Sequence, residues 1–285
     1  MSTTSWTPPP EAVIDADVAR AFAEDFGSGD ATAELIHPDT RADATLTCRD
    51  GAVLAGTPWF DACFRRLDPT VTIHWYARDG ERVAAGTVIC ALHGNARALV
   101  GAERSALNFL QLLSATATRT ARYVDAVRGT RAQVLDTRKT LPGLRLAQKY
   151  AVRCGGGQNH RLGLHDAILI KENHIAAAGG LTAAVRAARR LHPALPLEVE
   201  VESLDELREA LAAGPDRIML DNFDLPQLRE AVAIAAGRIP LEVSGNVGLD
   251  GIGAIAATGV DFISVGALTK HVAAVDLSLR LRLAS

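Results

Sequence analysis

Residues 136 to 174 hold ten Lys, Arg or His side chains against three acids, in a chain whose formal net charge is −3. A basic excess confined to one stretch of a mildly acidic protein points to a multiply anionic ligand. Arg138 and Lys139 follow Asp136-Thr137, His160 and Arg161 follow the triple glycine Gly155–Gly157, and Lys171 closes the apolar run Ala167–Ile170. Arginine forks grip carboxylates in pairs of hydrogen bonds, whereas lysine offers a compact charge to phosphate. Any one of these cations could be a solvated surface residue. Together they repel one another, and that repulsion calls for a counter-anion.

Carboxylates stand further along. In LEVEVE the two-residue period of a strand puts Glu198, Glu200 and Glu202 on one face, and Leu197, Val199 and Val201 on the other. Either this is an edge strand with a solvated face, or Glu200, near the strand's end, points into a charged cavity. Asp221 ends the run Ile218–Leu220 and reads equally as a helix N-cap or as a metal-side carboxylate. Two such carboxylates on neighbouring strand ends, Glu200 and Asp221, could hold Mg²⁺ with substrate phosphates as co-ligands.

Ser244-Gly245-Asn246 and Val265-Gly266-Ala267 each open a loop before a helical stretch, where glycine lets backbone N–H groups approach a phosphate. Neither a GxxxxGK[ST] loop nor a strand-linked GxGxxG is present, and no GxSxG elbow supports a serine hydrolase. A strand-end Lys171 also admits a Schiff-base lyase. A non-catalytic anion sensor is a further possibility, although it would gain nothing from Glu200 and Asp221.

The elements that must position these residues fall into two textures. Up to about residue 100, a helix over Val13–Phe26 and short strands at Ala42–Arg49, Val53–Ala55, Val71–Ala77 and Thr87–His93 predict an antiparallel sheet with helices on one side. A long helical pattern covers 102–127. Beyond it, β-rich runs at 133–137, 167–171, 197–202, 217–221, 241–245 and 262–266 alternate with alanine-rich helical stretches. Repeating β-α units predict a parallel sheet whose ligands bind beyond the strand carboxyl ends. The segment is shorter than the roughly 250 residues of a full barrel, so fewer than eight strands are expected. The fold class is thus α/β: an N-terminal α/β domain over 1–112 and a reduced α/β barrel over 113–285, with a last helix that packs back on the first domain. Arg145, Lys149 and Arg153 are expected on a helix surface.

With 48% hydrophobic and 22% charged residues the composition is that of an ordinary globular protein. Near-neutral charge argues against a general nucleic-acid binder. Cys48, Cys63, Cys90 and Cys154 show no metal-ligand spacing. No signal-peptide pattern and no membrane-length apolar run is present, so a cytoplasmic protein is expected.

In order along the chain, ERSALNFLQLLSATAT, DTRKTLPGLR, QKYAVRCGGGQNHRLGLHDAILIKENHI, LEVEVES, MLDNF, EVSGNV and VGALT resemble the quinolinate phosphoribosyltransferase family over nearly the full length. Ala115 stands in LSATAT where many relatives carry glycine, a packing difference in a helix. The resemblance implies that quinolinate reacts with 5-phosphoribosyl-1-pyrophosphate to give nicotinate mononucleotide, CO₂ and pyrophosphate, with Mg²⁺. It implies a homodimer, or a larger assembly, whose sites are shared between subunits. By motif position, Arg138, His160, Arg161 and Lys171 would line the quinolinate pocket, and Arg104 would reach it from the neighbouring subunit. Thr137 and Lys139 belong to the same loop as Arg138, with Lys139 touching both substrates. Glu200 and Asp221 would face the ribose and Mg²⁺, while Ser244, Gly245, Asn246, Val265, Gly266 and Ala267 would cradle the 5-phosphate. Lys139, Lys171, Glu200 and Asp221 are the residues it implicates in catalysis.

Overall fold

The β-rich runs beyond residue 130 form one parallel sheet of six strands in the computed structural model, which describes residues 6–283. Across the sheet the order is Gln133–Leu135, Phe262–Ser264, Leu241–Ser244, Arg217–Asp221, Leu197–Val201 and Ile168–Ile170. The first strand thus lies against the last, as in a barrel, and six strands rather than eight complete the reduced α/β barrel. The two edges are Gln133–Leu135 and Ile168–Ile170. Gln158 docks on the first of them: its amide donates to Val134 O at 2.8 Å, and its carbonyl accepts from Asp136 N at 3.1 Å.

Leu197–Val201 is flanked on both sides, by Ile168–Ile170 and by Arg217–Asp221, so its glutamates are not on a solvated edge. Leu197, Val199 and Val201 are buried on one face, and Glu198 is only 6% exposed on the other. The helices that follow the strands start on side-chain caps. Ser203 accepts from the Glu206 amide ahead of Leu204–Ala213, and Asp224 forms a capping box with Gln227 ahead of Leu225–Ala235.

The structure parts into two compact bodies that interleave along the chain. One holds the chain up to Ala121, Leu141–Gly156 and the chain from His271 on, and the other holds Arg122–Thr140 and Gly157–Lys270. Neither body is one continuous stretch of chain. In the first body an antiparallel sheet runs Leu277–Leu283, Arg41–Cys48, Thr87–Asn95, Thr72–Trp75. Arg41–Cys48 buries every second residue, Ala42, Ala44, Leu46 and Cys48, against a core that includes Trp59, Phe60 and Phe64. The four cysteines are buried free thiols.

Several elements differ from the sequence reading. The last element, Leu277–Leu283, is a strand and not a helix: its alternating Leu and Arg or Ser residues suit a pleated partner for Arg41–Cys48. Thr57–Leu67 is a further helix between the first strands, and Ala96–Ala126 starts directly from the preceding strand with no intervening turn. Lys149 is 1% exposed rather than on a helix surface, because Arg145–Cys154 buries most of its residues in the first body's core. Among the described residues no helix is long and apolar enough to cross a membrane.

Candidate active site

At the carboxyl ends of two neighbouring strands, Glu200, Glu202 and Asp221 each offer a carboxylate oxygen, all within 4.8 Å of one another. Glu202 thereby joins the pair read from the sequence. Asp221 is free for this role because Asp224, and not Asp221, caps the following helix. Lys171, at the end of the adjacent strand, forms an ion pair with Glu200 Oε2. Partial burial, and then the nearby Glu200 charge, raise the Asp221 pKa, with Lys171 and Lys139 acting against them.

A second layer lies along the first strand. Thr137 Oγ1 accepts the Lys139 amide at 3.1 Å, and Thr269 Oγ1 donates to the Lys139 carbonyl at 2.8 Å. The lysine stem crosses the backbone of Gly266, where an added Cβ would lie 3.1 Å from Lys139 Cδ and 3.8 Å from Nζ. Glycine at 266 thus makes room for a neighbouring lysine. Together these contacts join the Thr137–Lys139 loop to the Val265-Gly266-Ala267 turn.

Buried Asp136 organises the next loop by accepting from Asn159 Nδ2 at 2.6 Å and from the His160 amide at 2.9 Å. With Gln158 held on the sheet edge, His160 and Arg161 are carried into the barrel. Arg161 donates to the Ala167 carbonyl at 3.2 Å. Burial, and then the Arg138 charge, lower the Arg161 pKa, so the two guanidinium groups repel one another. The Nε atom of Arg138 is buried and has no hydrogen-bond partner. A buried donor without a partner beside a like charge is the signature of an anion site.

Beneath these cations lies a charge network that the sequence reading missed. His160 Nε2 stands 2.9 Å from Glu198 Oε2 and 3.4 Å from Glu242 Oε1. Glu242 has no exposed surface; it also takes Arg217 Nη1 at 2.8 Å and Ser264 Oγ at 2.5 Å. Burial opposes charge on His160, but its hydrogen bonds to both glutamates, together with their charges, outweigh it and push the pKa up to about 9. In the neutral ring Nδ1 accepts the Arg161 amide at 2.8 Å and the Nε2 proton faces the carboxylates; charging the ring gives up the Nδ1 bond while the two carboxylates hold the added charge. The available signal was Glu198, Arg217 and Glu242 standing inside otherwise apolar runs, where an unpaired charge is costly.

Ser244-Gly245-Asn246 follows the strand Leu241–Ser244, whose Ser244 lies in register with Asp221. Arg104 is exposed on Ala96–Ala126, in the first compact body.

Residues 30–114 match the N-terminal domain, and residues 116–280 the C-terminal domain, of quinolinate phosphoribosyl transferase. The chain belongs to the quinolinate phosphoribosyl transferase family. It is 44% identical over 274 residues to nicotinate-nucleotide pyrophosphorylase [carboxylating] of Mycobacterium leprae, covering 93% of this chain and 95% of that one. It is 42% identical over 277 residues to a probable enzyme of the same name from Synechocystis, covering 96% and 94%. The solved nicotinate-nucleotide pyrophosphorylase of Francisella tularensis superposes with a TM-score of 0.93 at 46% identity, covering 99% of this chain and all of that one. The NadC structure from Streptococcus pyogenes gives 0.95 at 41% identity, over 98% of this chain and all of that one. Both solved structures thus match this chain over nearly its full length.

Proposed function

We propose that this enzyme transfers the phosphoribosyl group of 5-phosphoribosyl-1-pyrophosphate to quinolinate with decarboxylation, giving nicotinate mononucleotide, CO₂ and pyrophosphate in NAD biosynthesis. The observation that carries the site assignment is Arg138, whose buried Nε lacks a partner and whose charge repels Arg161. A planar dicarboxylate answers both deficits, since it can accept bidentate hydrogen bonds while neutralising two cations. His160 adds a third positive charge from below, and Lys171 a fourth from the neighbouring strand end.

The carboxylate end suits the sugar. The quinolinate nitrogen attacks the anomeric carbon as the bond to pyrophosphate breaks, and positive charge develops on the sugar. Glu200 and Asp221 stabilise that charge electrostatically. Three carboxylate oxygens within 4.8 Å form a hard oxygen donor set that fits Mg²⁺, which Glu200, Asp221 and Glu202 would hold. When bound, Mg²⁺ supplies positive charge against the departing pyrophosphate. Lys139, resting on Gly266, lies between the two substrates and fixes their orientation. Once the ring nitrogen is quaternary, its positive charge stabilises the electron pair left on the neighbouring ring carbon as the carboxylate there leaves as CO₂, and that carbon then takes up a proton. Lys171 and the arginines position and desolvate the substrate, with no covalent intermediate.

The loops 244–246 and 265–267 cradle the 5-phosphate through backbone N–H groups. Arg104, exposed on its helix, completes the site of a neighbouring subunit in a homodimer or a larger assembly. The enzyme works in the cytoplasm. Incubation of the protein with Mg²⁺, phosphoribosyl pyrophosphate and either quinolinate or nicotinate tests the reading. Stoichiometric mononucleotide and CO₂ from quinolinate are expected, and product from nicotinate alone would refute it.

A further inference from the structure

Asn222 has φ 58°, in the left-handed region, and it follows directly on Asp221. It makes contacts in two directions. Its Nδ2 donates to Asp221 Oδ2 at 2.8 Å, and its backbone amide donates to the Ser244 carbonyl at 3.0 Å. Next along the second loop, Gly245 has φ 104° and presses on the Asn222 side chain: a Cβ there would lie 2.2 Å from Asn222 Oδ1 and 3.1 Å from Asn222 N. Asn246 follows with φ 42°.

We propose that Asn222 is a positioning residue: it ties the Asp221 carboxylate to the Ser244-Gly245-Asn246 loop and so fixes the spacing between the metal-facing and phosphate-facing ends of one phosphorylated sugar. This role rests on the reading of Asp221 and of that loop given above. The residue types fit it. Asparagine enters the left-handed region more readily than other residues with side chains, and it alone combines that with a neutral donor for the carboxylate and an acceptor facing the glycine. Left-handed backbone outside glycine is maintained where surrounding structure imposes it. Here the imposing contacts come from a loop on the next strand rather than from the Leu225–Ala235 helix, which Asp224 caps by itself. Gly245 has no room for a side chain on this face. The two loops therefore move as one piece.

A simple turn former would explain the dihedral angle without this role, and Asn222→Gly separates the two. Glycine adopts the same backbone conformation at no steric cost, so a turn former would be replaced with no loss. The proposed role predicts otherwise. In steady-state assays with saturating Mg²⁺, Asn222→Gly should raise the KM for phosphoribosyl pyrophosphate about tenfold or more, with the quinolinate KM changed less than about twofold. The Mg²⁺ concentration for half-maximal rate should rise as well, and the melting temperature should not fall. Asn222→Asp keeps the shape but replaces the donor with a like charge beside Asp221, and it should shift the same two quantities. An unchanged phosphoribosyl pyrophosphate KM in both variants, or equal increases for both substrates, would overturn the proposal. If wild-type protein makes no mononucleotide, the functional reading itself has failed, and this role with it.

Discussion

The Nε2 atom of His160 lies 2.9 Å from Oε2 of Glu198, with both side chains nearly out of reach of solvent. With Glu242 on the same nitrogen, the ring is held against two acids in the barrel interior. That arrangement fixes a positive charge directly under the cations assigned to quinolinate.

His160 should therefore remain an imidazolium through neutral pH. Its folded pKa of about 9 exceeds the usual 6.5. The stabilisation this confers is complete below about pH 6.5 and is lost as pH rises through about 9. The shift corresponds to roughly 3 kcal/mol at most. NMR titration of the His160 ring should show a midpoint near 9, and a midpoint at or below 6.5 would contradict the geometry. In urea melts, the stability advantage of wild type over His160→Asn should shrink between pH 7 and pH 10.

Arg138→Ala should separate activity from stability. The guanidinium is partly buried, lacks a partner at Nε and repels Arg161. Its removal should leave the denaturation midpoint unchanged, or raise stability by up to about 1 kcal/mol, as happens when an active-site strain is relieved. The quinolinate KM should meanwhile rise at least about tenfold, the loss expected for one charge-assisted hydrogen-bonding group. A marked loss of stability with normal kinetics would assign Arg138 to structure instead.

Lys171→Ala should abolish mononucleotide formation, with a rate loss on the order of a hundredfold or more. Its ion pair with Glu200 is half exposed on the lysine side, so stability should change by only about 0–1 kcal/mol. Product assay and thermal melting on the same sample check both halves. Near-normal turnover would remove Lys171 from the site.

Gly266→Ala should act through Lys139. The new methyl would sit 3.1 Å from Lys139 Cδ, so this flexible stem must move aside. Melting should be little affected, because a side chain and not backbone gives way. The phosphoribosyl pyrophosphate KM should rise several-fold, and Lys139→Ala/Gly266→Ala should be no worse than Lys139→Ala alone, since two changes acting through one group do not add. Additive losses in the double variant would place the effect on the phosphate loop itself.

Much of the barrel was legible because it is built from local rules. Short β-rich runs marked the six strands, alanine-rich stretches marked the helices between most of them, and the polar or glycine residue ending each run marked the mouth. The antiparallel sheet of the first body was legible in the same way, apart from Leu277–Leu283, whose partner lies more than 200 residues away. Lys149 shows the limit from the other side: a charged residue at helical spacing looks like surface until the packing around Arg145–Cys154 is known.

The amino-acid order by itself determined which residue types stand at the strand ends: Arg138, Lys139 and Lys171 as cations, Glu200 and Asp221 as acids, and glycines at 245 and 266. Tertiary structure alone decided their pairing. Period two states the face a side chain takes, not its depth or its neighbours. Glu198, Arg217, Glu242 and Ser264 lie on four different strands, and only the sheet register brings them onto one another beneath His160. In the same way Asn222 reads as an ordinary turn residue until the register of Asp221 with Ser244 sets it against Gly245. Contacts between segments twenty or more residues apart depend on the strand order and register of the whole sheet, and no local pattern encodes that.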